Sequence, residues 1–258
     1  MPRSRGQIPA EALLFFPINI FLFNKVITLL IEMMLDDHIQ GLLEKYVKDD
    51  TNVSFGTGPL NKTFLKKLSL YIARNDLNIK VIPTSHDLGD LCAQLKIKTA
   101  SLDDVEVDLA FDFVDQVDED FNYISNETTS LVRDKMIAQE AAEFVIVCDE
   151  ENFVEQLTYD ICLEVCPFAI NKTLLQVMSL GEAKQKLKAN GQPYLSETGN
   201  HFINVLIDEI YTVEDIEYMA KRIPGVLETS LFVGYADRVI LNGSTLTVKS
   251  RLTNPEFG

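Results

Sequence analysis

The chain has 258 residues, of which 47% are hydrophobic and 24% are charged, so it is long enough for one large domain or for one domain with a smaller satellite. Its formal net charge of -16 argues against non-specific binding to nucleic acid or to anionic membranes, because the phosphates of both would repel it. Any phosphorylated ligand therefore requires a local positive potential. The four cysteines and three histidines show no usual zinc spacing, which predicts reduced thiols in a cytoplasmic protein and no metal site.

Residues 1–35 are predicted to form an N-terminal extension. A basic start precedes a largely apolar run, which is interrupted by Glu11, Pro17, Asn19, Asn24 and Lys25. A membrane-spanning helix needs about 20 uninterrupted apolar residues, and a signal peptide needs a clean small-residue cleavage site. The pattern therefore favours an extension packed on the domain, or a start codon placed too early, over a membrane anchor.

From residue 36 onwards, segments with helical and strand-like patterns alternate. Apolar residues recur at helical spacing in four segments, and short apolar runs separate them. The predicted helices cover residues 36–48, 59–73, 87–95 and 130–142, and the predicted strands cover 52–55, 79–82, 107–111 and 144–148. This alternation predicts a mostly parallel sheet with helices on both faces.

The pattern changes after residue 158. Strands are predicted at 161–165 and 202–207, helices at 171–187 and 213–222, and short strands at 231–233, 238–241 and 245–248. We therefore predict an α/β fold with a Rossmann-like domain of residues 36–158 plus 229–258. Residues 159–228 are predicted to form a smaller α+β (ferredoxin-like) domain.

The most informative segment runs from Val107 to Asp118. An apolar run of strand length ends in Asp112 and Asp115, and ligands of open α/β sheets bind just beyond the carboxyl ends of strands. Acidic groups placed there are candidates for contacts to sugar hydroxyls, for metal binding or for proton transfer. The alternative is a solvated acidic loop, because further acidic residues follow at 118–120.

Seven segments, in order from residue 36 to the C-terminus, resemble motifs of type A ribose-5-phosphate isomerases. The family's glycine-rich loop is matched by residues 54–60, its P-T-S segment by 83–85, its D-G-A-D-E motif by 112–116 and its T-R-E-K helix by 132–135. Its V-x-V-x-P-F-A, D-N-G-N and I-P-G-V-V-E-x-G-L-F motifs are matched by 163–169, 197–200 and 223–232. The resemblance implies that the protein interconverts an aldose and a ketose phosphate through an enediol, without a metal or an organic cofactor.

The resemblance also implies roles for individual residues. Asp134 stands where the family has its glutamate base, with a side chain one methylene shorter, and the alternative is a surface carboxylate in contact with Arg133 or Lys135. Asp112 and Asp115 are implied to engage sugar hydroxyls. The residues implied to surround the sugar phosphate are Gly56, Thr57, Gly58, Thr84, Ser85 and Ser125. Alternatives remain for two of these segments, namely an ordinary tight turn at 56–58 and a helix N-cap at 84–85.

The chain departs from the family where the family has cations. Ser125 and Glu127 lie in the segment that matches the family's K-G-G-G loop, and Asn152 replaces a second lysine. One hypothesis is a divergent ribose-5-phosphate isomerase of the non-oxidative pentose phosphate pathway, acting as a homo-oligomer (a dimer or tetramer). The rival hypotheses are a catalytically inactive paralogue that serves as a binding or assembly module, and a sugar-phosphate sensor that binds without turnover.

Overall fold

The computed structural model describes residues 37–158, 160–207 and 211–251. The predicted extension of residues 1–35 lies outside these ranges. Within them, no helix combines the length and the apolar character that are needed to cross a membrane.

The described residues alternate between strands and helices for most of their length. The strands are β1 (Asn52–Phe55), β2 (Lys80–Pro83), β3 (Lys98–Thr99), β4 (Leu109–Phe113), β5 (Gln116–Asp118), β6 (Tyr123–Ile124), β7 (Phe144–Asp149), β8 (Phe153–Val154), β9 (Asp160–Val165), β10 (Gly181–Gln185), β11 (His201–Ile207), β12 (Val226–Thr229), β13 (Leu231–Phe232), β14 (Arg238–Asn242) and β15 (Leu246–Ser250). The helices are α1 (residues 37–46), α2 (Pro59–Asn75), α3 (His86–Gln94), α4 (Leu131–Glu140), α5 (Ile170–Val177) and α6 (Val213–Lys221).

The main sheet has seven strands in the order β15-β14-β7-β4-β1-β2-β3, and every neighbouring pair is parallel except β14 and β15. Its inner strands β14, β7, β4, β1 and β2 are largely buried on both faces, as expected of a parallel sheet, whereas the edge strands β3 and β15 are not. On one face α1, α2 and α3 pack around Phe55, Phe64 and Phe111, while on the other face α4 packs against Ala110 and Ile146. The predicted α/β class is confirmed by this sheet.

The second sheet is antiparallel and lies between residues 160 and 229. The order of elements is β9-α5-β10-β11-α6-β12, and the strands lie side by side as β10-β11-β9-β12. This β-α-β-β-α-β connection is the ferredoxin-like arrangement. The division of the chain into domains at residues 159 and 228 stays a prediction.

The prediction of a helix over residues 171–187 is wrong in its second half. Helix α5 ends at Val177, and residues 181–185 form β10, which pairs antiparallel with β11. Glu, Ala, Lys and Gln favour helices, but pairing with β11 overrides this preference. At Gly181 a Cβ atom would lie 2.0 Å from the carbonyl oxygen of Leu206, so the closest approach of the two strands requires glycine.

Two further differences concern short strands. Strand β4 is shifted by two residues from the predicted 107–111, which places Asp112 inside the strand rather than beyond it. A third sheet, with the order β13-β6-β5-β8, was not predicted. Only β13 was predicted as a strand, at 231–233; β5, β6 and β8 have two or three residues each, too few for a residue pattern to identify.

A buried ion cluster fastens α4 to the smaller sheet. The ammonium group of Lys135 lies 2.7 Å from Glu228 Oε1 of β12 and 2.6 Å from Glu217 Oε1 of α6. Lys221 binds the second oxygen of Glu228 at 2.8 Å. Burial alone would raise the pKa of Glu228, but the two ammonium groups hold it below its ordinary value.

Replacing Lys135 by methionine should destabilise the fold strongly. The substitution leaves Glu228 without its closest partner in a buried place, and breaking a buried pair in this way costs about 3–5 kcal/mol. The free energy of unfolding in urea at pH 7 measures the effect. The control is Lys66→Met on the exposed face of α2, which should change that energy by less than about 0.5 kcal/mol. Equal effects of the two substitutions would contradict the role given to the cluster.

Candidate active site

Asp112 is held at the carboxyl end of the main sheet by side chains from two segments. Its side chain is only 5% exposed. Asn61 of α2 donates to Oδ1 at 2.9 Å, and the hydroxyl of Ser125 donates to Oδ2 at 3.1 Å. Both carboxylate oxygens are therefore bonded within the protein, and the alternative of a solvated acidic loop is wrong for Asp112.

The turn after β1 approaches this carboxylate so closely that only glycine fits. A Cβ atom at Gly56 would lie 1.9 Å from Asp112 Oδ1 and 2.8 Å from Asn61 Nδ2. The Gly56 amide is fixed in turn by a 3.0 Å bond to the carbonyl of Phe111. The glycine is thus required for a close approach of the backbone to an acidic side chain, a reason that the sequence alone did not provide.

Burial alters the acidity of Asp112. Removal from water raises its pKa from 3.8 to about 6, although the bonds from Asn61 and Ser125 favour the ionised form. The negative charge of Asp115 adds a smaller upward contribution. This carboxyl is consequently half-protonated near pH 6 and mostly ionised at neutral pH.

Asp134 lies in the first turn of α4, which Ser130 caps by accepting from the amide of Arg133. Its side chain is 8% exposed, so the alternative of a surface carboxylate is wrong. The hydroxyl of Thr128 donates to Oδ2, whereas Oδ1 is buried with no hydrogen-bond partner among the described residues. Burial raises the pKa of Asp134 well above its ordinary value, and the nearby charge of Asp112 raises it further.

The two neighbours of Asp134 in the chain point elsewhere, because consecutive residues of a helix do not face each other. Lys135 belongs to the ion cluster described above. Arg133 donates to the carbonyl of Thr84 at 3.0 Å and lies 3.6 Å from a carboxylate oxygen of Glu197. Neither cation therefore binds the carboxylate of Asp134.

Asp112 and Asp134 face one small cavity, and a larger cavity lies nearby. The small one, of about 10 Å³, is lined by both carboxylates together with Gly56 and Thr84. The larger one, of about 380 Å³, opens at the ends of β4 and β7 and is lined by Gly58, Asp115, Glu127 and Asp149 among others. None of its described lining residues is a lysine or an arginine, so its walls are acidic.

Asp115 forms part of the wall of the larger cavity. The backbone amide of Asn126 donates to its Oδ2 at 2.8 Å. Burial raises the pKa of Asp115, and the charge of Glu127 raises it further, while the Asn126 amide and Lys186 lower it. The structure therefore separates the predicted acidic residues, with Asp112 and Asp134 in one place and Asp115 in another.

The predicted hydroxyl residues bond within the protein. Thr57 accepts from the amide of Thr129 at 3.0 Å, and Thr84 donates to the carbonyl of Phe55 at 3.1 Å. Ser85 caps α3, accepting from Leu88 at 3.1 Å, so the N-cap alternative describes it correctly. Each of these hydroxyls positions the loops around the site.

Comparison with known proteins identifies the family. Residues 80–245 match the family model of Ribose 5-phosphate isomerase A (phosphoriboisomerase A). The chain belongs to this family. Ribose-5-phosphate isomerase A of Methanothermobacter thermautotrophicus is 30% identical over 201 residues, covering 77% of this chain and 89% of the relative. That of Pyrococcus horikoshii is 31% identical over 204 residues, covering 76% and 89%.

Solved structures of the family have the same fold. A D-ribose-5-phosphate isomerase in complex with phospho-erythronic acid superposes with a TM-score of 0.79 at 29% identity, covering 85% of this chain and 99% of that one. Ribose 5-phosphate isomerase A from Methanocaldococcus jannaschii gives a TM-score of 0.76 at 27% identity, covering 84% and 96%. The family fold therefore extends over nearly the whole described chain.

Three supporting residues of this family member were missed by the sequence analysis. Asn61 fixes Asp112, as described above. Glu164 of β9 is fully buried and binds the amide of Val132 at 3.1 Å and Nδ2 of Asn200 at 2.8 Å, which ties the start of α4 to the smaller sheet. Tyr123 stacks on Phe232, with its hydroxyl buried and unpartnered among the described residues. Of the three, only Glu164 lies in a motif recognised above. A carboxylate inside an apolar strand indicates a buried group with polar partners, so this residue could have been identified from the sequence.

Replacing Gly56 by alanine should displace Asp112 and destabilise the protein. The new methyl group overlaps Asp112 Oδ1, and overpacking of this kind costs about 1–3 kcal/mol. The control is Gly41→Ala in α1, where no atom lies within 4 Å of the new Cβ. Alanine should stabilise that helix by roughly 0.5–1 kcal/mol. If Gly56→Ala and Gly41→Ala changed the free energy of unfolding with the same sign, the close approach of the Gly56 backbone to Asp112 would be contradicted.

Replacing Asp112 by asparagine should stabilise the protein at pH 7. Because the folded-state pKa exceeds the unfolded value, stability falls as pH rises from about 4 through 6. The neutral amide avoids this loss, which is roughly 3 kcal/mol at 1.36 kcal/mol per pKa unit. Urea unfolding should show the full difference at pH 7 and almost none at pH 4. Asp120→Asn, at an exposed carboxylate, should show little difference at either pH.

Proposed function

We propose that this protein interconverts ribose 5-phosphate and ribulose 5-phosphate through an enediol, as a divergent ribose-5-phosphate isomerase. The observation that supports this most strongly is the pair of buried carboxylates, Asp112 and Asp134, at the carboxyl end of the parallel sheet. Relatives named ribose-5-phosphate isomerase A, which match over most of the chain, support the same reaction. No finding favours the alternative of an inactive paralogue.

In the proposed mechanism Asp134 moves the proton between C1 and C2 of the sugar. Its Oδ1 is the atom that no described group binds, and its raised pKa makes it a stronger base than an ordinary aspartate. Asp112 lies close enough for its charge to raise that pKa, so the two carboxyls titrate as a coupled pair. A carboxyl whose pKa is raised by burial and by a neighbouring acid is suited to acid–base exchange.

The larger cavity is the proposed position of the rest of the substrate. Asp115 in its wall is an acceptor for sugar hydroxyls, and the backbone N–H groups of Thr57, Gly58 and Leu60 around the start of α2 are donors for the phosphate, since Pro59 has none. The small cavity does not hold a sugar carbon with its hydroxyl, and Ser125 and Thr128 bond to the two carboxylates, so loop 125–128 is the segment proposed to shift when substrate binds. Thr57, Thr84, Ser85 and Ser125 then act by holding the loops around the ligand.

The remaining parts of the proposal concern assembly and location. Phe168 on the smaller domain is 86% exposed, and Leu175 and Met178 nearby are also exposed. We propose that these exposed apolar side chains contact a second copy of the chain, as expected for a dimer or tetramer. Cys92, Cys148 and Cys162 are buried and unpaired, which supports a cytoplasmic protein.

The purified protein should convert ribose 5-phosphate to ribulose 5-phosphate, and Asp134→Asn should lower kcat by about 10²–10⁴-fold, the contribution usual for a general base. A coupled assay for the ketose product measures the rate. The matched control is Glu140→Gln, an exposed carboxylate at the other end of α4, which should retain wild-type kcat.

Binding of phospho-erythronic acid, measured by calorimetry, separates the hypotheses. Turnover that is lost in Asp134→Asn but kept in Glu140→Gln supports the isomerase. A wild-type protein that binds phospho-erythronic acid without converting ribose 5-phosphate overturns the proposal in favour of a binding module. Turnover that survives in Asp134→Asn would show that a residue other than Asp134 is the base.

A further inference from the structure

The proposed site contains more negative charge than a phosphorylated ligand tolerates. Asp115, Glu127 and Asp149 line the larger cavity, and Asp112 and Asp134 lie beside it. A sugar phosphate adds about two further negative charges at neutral pH. A cation is therefore needed near the site, and the position that matches the family's loop lysine holds Ser125.

Lys186 brings a positive charge to the same loop from the smaller sheet. It follows β10, and its ammonium group lies 3.4 Å from the carbonyl oxygen of Asn126. The amide of that same residue donates to Asp115 Oδ2 at 2.8 Å. A single residue of the loop thus connects the lysine to the carboxylate in the cavity wall.

The surroundings of Lys186 hold its charge in place without neutralising it. The ammonium group lies 5.3 Å from the ring centroid of Tyr194 and 5.8 Å from that of Phe202, within the range of cation–π attraction. Across the described ranges, no carboxylate lies within ion-pair distance of this ammonium group. Its positive potential therefore extends to the loop and to Asp115.

We propose that Lys186 is the compensating cation of this site, a positioning residue that keeps Asp115 ionised and offsets the negative charge around the sugar phosphate. This inference rests on the proposed function. Lys186 acts through the loop and through Asp115 rather than by touching the reacting atoms. The family carries this cation on the loop itself, whereas in this protein it comes from the smaller sheet.

The charged groups around Asp115 determine what the loss of Lys186 does. Asp112, Glu127 and Asp160 oppose its ionisation, while the Asn126 amide and Lys186 favour it. Without Lys186, only the Asn126 amide still favours the ionised form of Asp115. The pKa of Asp115 should therefore rise in Lys186→Met, and the acidic limb of the activity profile should move to higher pH.

The experiment compares Lys186→Met, Lys186→Arg and the control Lys184→Met, which removes an exposed lysine two residues earlier, in β10. We expect KM for ribose 5-phosphate to increase roughly tenfold in Lys186→Met, the factor that corresponds to one pKa unit, with a smaller change in kcat. Lys186→Arg keeps the charge and should restore KM and the pH profile. Equal values for Lys186→Met and Lys184→Met would overturn the inference.

A second measurement does not depend on turnover. Carbon NMR of the Asp115 carboxyl, assigned with Asp115→Asn, follows its pKa in the free protein. A higher pKa in Lys186→Met than in the wild type, with Lys184→Met unchanged, supports the inference even if the protein fails to convert ribose 5-phosphate. An unchanged pKa overturns it even if the protein is an active isomerase.

Discussion

The candidate site depends on keeping one carboxylate, that of Asp112, out of water at the end of a central strand. Strand β4 lies between β1 and β7, so the side chain emerges where α2, the turn after β1 and loop 125–128 meet. Gly56 lets the backbone come close, Asn61 and Ser125 satisfy the two oxygens, and Asp134 is placed across a very small cavity. Each of these contacts comes from a different part of the chain, so the site exists only when the main sheet is complete.

The burial of Asp112 lowers the free energy of unfolding of the protein. A buried carboxylate whose pKa is raised destabilises the fold at neutral pH, where it is ionised, and such groups are typical of functional sites. The fold offsets the loss elsewhere. Lys135 and Glu228 fasten α4 to the smaller sheet, and Glu164 binds the first turn of the same helix. The helix that carries Asp134 is thus fixed at its start and along its length by polar groups of the smaller domain.

The sequence predicted the features that are encoded locally. The alternation of elements from residue 52 to 149 followed from apolar spacing, and Asp112, Asp115 and Asp134 were selected by their place in motifs. Strand β10 was missed because its composition favours a helix and only β11 makes it a strand. The burial of Asp134 was also hidden, since its charged neighbours Arg133 and Lys135 resemble a surface segment. Lys186 lies 60 residues from its partner Asn126, a distance over which no spacing rule applies.

The replacement of a loop lysine by serine has a consequence for the division of roles between the carboxylates. A cation at position 125 would lie beside Asp112 and favour its charged form, drawing its pKa back towards 3.8. Serine instead leaves Asp112 with a pKa of about 6, coupled to Asp134, while Lys186 acts on Asp115. In the proposed function this gives two kinds of carboxylate, a pair for proton transfer and a single group for binding hydroxyls. A protein can give neighbouring acids different tasks by placing them in environments that shift their pKa values apart.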